Sequence, residues 1–201
     1  MNSGFADDPH SEQGNACPRN RFGISDYERL QPIETAFAFK RARQLEARGI
    51  TGKFDIPHLK AIHKYLFQDV FPWAGEFRVV NISKGNSRFG PALHIIGALA
   101  DALDKLKRER FLVDLAPSAW AQRAAFYLGE INAIHPFREG NGRTQREFIR
   151  QLGLHAGHPL SWAGFTQTEM TDASILSHTR GDNTQLAAIL ERALFSTRTS
   201  S

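Results

Sequence analysis

The chain has little of what would reveal covalent or membrane chemistry at a glance. Its 201 residues include one cysteine, Cys17, so an internal disulfide is impossible and no CxxC pair exists for zinc or redox work. Placed in a loose N-terminal arm, that thiol reads as incidental. No apolar run approaches the roughly 18 residues of a membrane span, and the opening MNSGFADDPH lacks the basic and apolar regions of a signal peptide. The expected setting is therefore cytoplasmic, with no membrane partner. Nor is there a large excess of one charge: 25 Lys and Arg stand against 21 Asp and Glu, a net +4. A pI near 9.5 permits an anionic partner without indicating one. The cations are scattered, no helix clusters base-reading side chains, and direct nucleic-acid binding is not expected.

What remains is an ordinary globular composition, 41% hydrophobic and 23% charged, on a length that suits one core. Residues 1–24 are rich in Asp, Pro, Gly and Asn without an apolar period, and read as an extended arm lying over the domain or partly disordered. Ser25 to Glu28 matches an S-x-x-E capping box, followed by Leu30, Ile33, Phe37 and Leu45 at helical spacing up to Gly49. Asp55 caps a second helix with Pro57 in its first turn and Leu59, Ile62, Leu66 and Val70 on one face. FRVVNIS, KGN and SRF then predict a hairpin between Trp73 and Pro91. Helices are predicted over 91–109 and 117–134, and two more follow the stretch at 135–148, the first capped by Thr166 and the last carrying Leu186, Ile189, Leu190 and Leu194. With no internal repeat or low-complexity linker, the economical reading is a mainly α, helical-bundle domain over 25–195 with one small hairpin and a tail at 196–201.

The stretch HPFREGNGRTQREF, residues 135–148, is the unusual one. His135 falls at the end of the apolar stripe that runs through Leu128 and Ile131, so packing should hold it. Pro136 stops that helix and the next begins near Arg143, leaving 137–142 as a loop feeding a helix N-terminus. Such a terminus offers unpaired N–H groups and the positive dipole end, and Gly140 and Gly142 allow close approach of a ligand. Arg143 and Arg146 in the first turn are unfavourable there unless an anion is near, which suits a polyphosphate. Glu139 amid this positive nest can hold a Mg²⁺ bridging phosphate oxygens, and His135 can serve as a base. Singly, a helix-end His is usually structural, paired Arg are usually solvated and GNG is a common turn. Their order within one short segment is what argues for phosphate chemistry.

This stretch resembles the Fic-family signature H-P-F-x-(D/E)-G-N-G-R-x-x-R at every defined position from His135 to Arg146. FPWAGEFR (71–78), ISKGNSRF (82–89) and TRGDNTQL (179–186) resemble the same family, over roughly residues 20–195. The resemblance implies a mostly helical Fic fold that transfers AMP from ATP to a hydroxyl of a target protein. It implies His135 as the base, Glu139 as the Mg²⁺ holder, Gly140, Asn141 and Gly142 as the phosphate nest, Arg143 and Arg146 on the β- and γ-phosphates, and Phe137 as the loop's anchor in the core. It also implies a flap on which Ile82, Lys84 and Gly85 dock a target segment or cover the nucleotide. Gly142, where a phosphorylating relative carries Lys, favours AMP transfer; other nucleotides or a phosphocholine donor stay open. No (S/T)-x-x-x-E-(G/N) inhibitory stretch occurs, since Ser25 to Glu28 and Thr166 to Glu169 are a residue short. The chain thus resembles toxins whose separate small antitoxin supplies that helix and whose targets are DNA gyrase and topoisomerase IV. The competing readings are a Fic domain of a secreted host-targeted effector and a non-catalytic nucleotide-binding interaction module; intact His135 and Glu139 count against the latter.

The remaining histidines support no metal site. His58 and His63 diverge on their helix, His155 and His158 lack a third ligand, and structural or solvent-facing roles are expected.

Overall fold

A computed structural model describes residues 8–11, 17–84 and 87–196. The first helix, α1 (Tyr27–Arg48), starts one residue later than the capping box suggests: its N-cap is Asp26, whose carboxylate accepts from the Glu28 amide at 2.9 Å. An ionised carboxylate at this position also complements the positive helix end, which a Ser hydroxyl does not. Gly49, at φ 65°, closes the helix by donating to the Leu45 carbonyl. The face it buries runs Leu30, Glu34, Ala38, Leu45, so a carboxylate sits where the apolar pattern placed none. Helix α2 (Ile56–Phe67) begins on Asp55, as expected, with the Asp55 side chain accepting from the His58 amide.

The hairpin forms but is much shorter than its β-rich sequence suggests. Only β1 (Ser83–Lys84) and β2 (Ser87–Arg88) pair, antiparallel, with Ser83 opposite Arg88. Residues 77–81 instead lie against the helical body without pairing, and the backbone bends at Val79 and Val80: the Arg78 amide donates to the Pro136 carbonyl and Asn81 accepts from the Ala92 amide. Their β-propensity is satisfied by a partner that is not a strand. After a short 3-10 turn come α3 (Ile95–Arg108) and α4 (Pro117–Ile134), then α5 (Asn141–His155), α6 (Gln167–Arg180) and α7 (Thr184–Ser196). Thr166 caps α6 by accepting from the Glu169 amide. The last helix therefore includes Ser196, and residues 197–201 lie outside the described residues.

Helix α4 is the axis of the bundle, touching α3, α5, α6 and α7. Its Trp120, Tyr127, Leu128 and Ile131 are fully or almost fully buried, against Phe148 and Leu152 of α5 and Leu186 and Leu190 of α7. Among the described residues no helix is long and apolar enough to cross a membrane. Residues 8–11 and 17–24, the described part of the N-terminal arm, lie against this body. Ser11 bridges Pro18, the Arg21 amide donates to the Val70 carbonyl, and Cys17 is buried in the core. Backbone and side-chain bonds at specific polar partners, not an apolar period, dock it, which is why periodicity does not reveal it.

Candidate functional site

The chain turns sharply between α4 and α5, and His135 makes the turn. It is the C-terminal cap of α4, with left-handed backbone angles (φ 50°, ψ 63°) and its amide donating to the Ile131 carbonyl. A non-glycine residue in this region is uncommon and marks a position that its surroundings impose. The Nδ1 atom lies 3.2 Å from the Asn132 carbonyl, an acceptor only, so Nδ1 carries the ring proton and Nε2 the lone pair. Phe89, just past β2, stacks on the imidazole with centroids 3.7 Å apart. Burial pushes the His135 pKa down to about 4, with Arg78, Lys84 and His178 adding to the fall. The ring is a neutral, oriented proton acceptor.

Phe137 is buried and stacks on His63 at 3.9 Å, anchoring the loop in the core as the resemblance implies. The loop then ends two residues earlier than expected. Helix α5 begins at Asn141, so Asn141 and Gly142 are its first-turn residues and not loop. Asn141 is committed to bracing this turn: its Oδ1 accepts from the Phe137 amide at 2.9 Å and its Nδ2 donates to the Phe137 carbonyl at 2.8 Å. Any part in a phosphate nest falls to its backbone, not its side chain. Gly140 is required on two counts, a φ of 76° and a Cβ position 2.4 Å from the Phe67 ring. Gly142 is exposed, and the first-turn amides of α5 have no acceptor within the helix.

The two arginines differ. Arg143 already has an anion: its guanidinium lies 2.6 Å from Glu34 of α1 and over the Phe67 ring. The contact is not aligned as a hydrogen bond, and burial raises the Glu34 pKa despite Arg143. The unbalanced first-turn cation inferred from sequence is thus half-balanced by a residue far away in the chain. The Arg146 side chain has no hydrogen-bond or ion-pair partner among the described residues, and burial, with Arg143 beside it, pushes its pKa down to about 10. Glu139 is partly exposed; one carboxylate oxygen accepts from the Gly140 amide at 2.9 Å and the other from the Tyr27 hydroxyl at 3.2 Å.

On the hairpin, Ile82 is half-buried and its carbonyl accepts from the Phe89 amide, Lys84 is exposed, and Gly85 lies outside the described residues. The hairpin stands next to His135, through Phe89. Around this cluster are residues that the sequence reading leaves out: Tyr27, Glu34, Arg78, Asn132 and Phe89. His63, set aside as structural or solvent-facing, is fully buried; Nδ1 accepts from the Gly75 amide, so Nε2 donates to the Glu139 carbonyl at 3.1 Å. It is a brace for the loop, neutral because burial holds its pKa down to about 3. Arg138, the variable position of the motif, is tied to Asp8 of the N-terminal segment at 2.7 Å.

No group of three or more His, Cys, Asp or Glu gathers to hold a metal among the described residues. Glu139 is a hard, accessible oxygen donor on its own, and such a donor suits a Mg²⁺ that takes its other ligands from phosphate and water. A shallow groove of about 290 Å³, lined by Asp172, Ile175, Leu176, Thr179, Arg180 and Gln185, shares no residue with this site.

The Fic/DOC family profile matches residues 53–152. The protein adenylyltransferase VbhT of Bartonella schoenbuchensis is 43% identical over 189 residues, which are 94% of this chain and 39% of VbhT; the chain thus spans about two fifths of that relative. The probable protein adenylyltransferase Fic of Salmonella typhimurium is 38% identical over 191 residues, 95% of this chain and 94% of that protein. Among solved structures, the Bartonella tribocorum BepC protein, a VirB-translocated effector with bound AMPPNP, superposes with a TM-score of 0.84 at 26% identity, covering 92% of this chain and 95% of the other. An ADP-bound Fic domain of a VirB-translocated effector from Bartonella quintana gives 0.83 at 26% identity, covering 92% and 93%.

Proposed function

Because the chain belongs to the Fic/DOC family, we propose that it is a protein adenylyltransferase, moving AMP from ATP to a hydroxyl side chain of another protein. The observation that carries this reading is His135: a neutral imidazole with Nδ1–H fixed on the Asn132 carbonyl and Nε2 free to accept, directly ahead of a helix N-terminus. The polyphosphate would lie on the first-turn amides of α5, with Gly140 and Gly142 admitting it and Arg143 and Arg146 on the β- and γ-phosphates. Arg146 has no other partner to give up. Arg143 would exchange the poorly directed contact with Glu34 for a phosphate.

His135 Nε2 takes the proton of the target hydroxyl while that oxygen bonds to the α-phosphorus. The bond from the α-phosphorus to the bridging oxygen breaks, and pyrophosphate leaves. The bound phosphates, being anions, raise the imidazole pKa and make it a stronger base at the moment of transfer. Glu139 fits as the protein's ligand to Mg²⁺, which when bound supplies positive charge to the phosphate oxygens.

The same reading extends to partners. The hairpin, with Ile82, Lys84 and Gly85, would dock a segment of the target as an added strand. DNA gyrase or topoisomerase IV is the proposed target in a cytoplasmic toxin–antitoxin pair, and the antitoxin's (S/T)-x-x-x-E-(G/N) helix would set its Glu on Arg146, a half-buried cation with no competing carboxylate among the described residues. A second reading is favoured by one observation: the solved Fic domains above are translocated effectors, which would give a host-cell target instead.

The test is incubation of the protein with Mg²⁺ and α-³²P-ATP or γ-³²P-ATP in a bacterial lysate and, separately, a eukaryotic one, beside His135→Ala. Label from the α-phosphate only, lost in the variant with ATP still bound, supports AMP transfer, and the lysate that is labelled separates toxin from effector. Label from the γ-phosphate makes the enzyme a kinase, and no label in either lysate returns it to a nucleotide-binding module.

A further inference from the structure

Arg78 is among the most buried side chains of the protein, 2% exposed, and it has no carboxylate partner among the described residues. A buried guanidinium without a counter-ion is costly unless its donors are satisfied, and here they are satisfied by backbone alone. Nε donates to the His135 carbonyl at 2.8 Å and Nη1 to the Val80 carbonyl at 2.8 Å. Nη2 donates to the carbonyls of Gly90 at 2.5 Å and Ile134 at 3.0 Å. Those bonds engage each of its three nitrogens and four of its five N–H groups. Two of the four acceptors are last-turn carbonyls of α4, at the negative end of that helix, where a cation is favoured. The other two are the legs of the hairpin, one before β1 and one after β2.

The connection has a second strand. The Arg78 amide donates to the Pro136 carbonyl and the Gly90 amide to the Ala133 carbonyl, both at 3.0 Å. Phe89, next to Gly90, stacks on the His135 ring. The left-handed backbone of His135 is therefore held from its carbonyl side by Arg78, and its ring is held by a residue whose neighbour Arg78 also holds.

We infer that Arg78 is a positioning residue for AMP transfer: it fixes the His135 turn, and with it the Nδ1–H bond to Asn132, and it ties that turn to both legs of the hairpin. This rests on the reading of His135 as the base. Arg78 touches neither nucleotide nor target, so it acts on the rate of transfer through His135 and not on ATP affinity.

The experiment compares the full chain with Arg78→Met, which keeps length without donors, and Arg78→Lys, which keeps charge with fewer donors in a different geometry. Each is checked for folding by circular dichroism, for ATP affinity, for kcat and KM of α-³²P transfer in the labelled lysate, and for the His135 imidazole ¹⁵N signals, assigned by their loss in His135→Ala. Both folded variants should bind ATP within about twofold of wild type and lose about tenfold to hundredfold in kcat, since a displacement of about 1 Å at a reacting group costs that much. The His135 nitrogens should change from one tautomer to a mixture. A folded variant with wild-type kcat, or with unchanged His135 nitrogen signals, overturns the inference.

If neither variant folds, hydrogen exchange at Arg78 Nε–H in the wild-type protein decides. Protection comparable to buried backbone amides supports the inference, and exchange as fast as a free guanidinium overturns it. Retention of label by His135→Ala would instead sink the proposed base, and the ring signals would still test Arg78 by themselves.

Discussion

Acidification from pH 7 to pH 5 should weaken the fold through its histidines. His63 and His135 have pKa values pushed down by burial to about 3 and about 4, against an unfolded reference of 6.5. At pH 5 the unfolded chain protonates both imidazoles while the native state protonates almost neither. Each site then favours unfolding by RT ln(1 + 10^1.5), about 2 kcal/mol, or roughly 4 kcal/mol together. The sign follows from depressed folded-state values: this stability is complete above the unfolded pKa and is lost as pH falls toward the folded pKa. His58, also lowered by burial, acts in the same direction. Glu34 opposes, because burial raises its pKa and its protonation favours the native state; Glu34→Gln removes that term. The assay is urea unfolding at pH 7, 6 and 5, with melting temperatures alongside. A loss of roughly 4 kcal/mol corresponds to a fall of about 8–16 °C for a domain of this size. A change under about 1 kcal/mol in the Glu34→Gln protein would show that the fold does not hold these two imidazoles neutral.

The two glycines of the motif should separate stability from binding. Gly140→Ala meets a positive φ and the Phe67 ring, and should cost about 2–5 kcal/mol by denaturant unfolding, whereas Gly142→Ala should stay within about 1 kcal/mol of wild type and weaken ATP binding measured by calorimetry. Equal stability of the two variants would contradict the geometry. Asn141→Ala leaves the buried Phe137 amide without its acceptor and should cost about 2–4 kcal/mol; a neutral result in urea would mean that the brace is not formed in solution. Arg146→Ala removes a cation with no internal partner, so melting temperature should hold or rise while ATP affinity falls about tenfold to hundredfold; unchanged affinity would remove Arg146 from the phosphate site.

Much of the helical architecture is legible locally. Asp55 and Thr166 cap helices because a carboxylate or hydroxyl can reach an amide two or three residues on. Pro136 ends α4, and the α4 stripe of Trp120, Ala124, Leu128 and Ile131 repeats at the helical period and is buried as a unit. The candidate site is legible for the same reason: His135 to Arg146 is contiguous, so one junction between two helices carries the proposed base, the proposed metal carboxylate, the helix terminus and both arginines. Local rules misplace what they cannot see. Residues 77–81 have β-forming side chains but bond to the Pro136 turn and Ala92 instead of pairing as a strand, and the motif loop enters α5 early because Asn141 braces Phe137.

The sequence by itself determined which residues could do phosphate chemistry and that they share one helix junction, because both depend on neighbours within a turn of chain. The tertiary structure alone decided how those residues are held. Glu34 reaches Arg143 from α1, His63 reaches the Glu139 carbonyl across 76 positions, and Asp8 reaches Arg138 across 130. Arg78 gathers four carbonyls from two chain segments. Such partners obey no period, since a buried donor takes whichever acceptor the packed helices bring within reach.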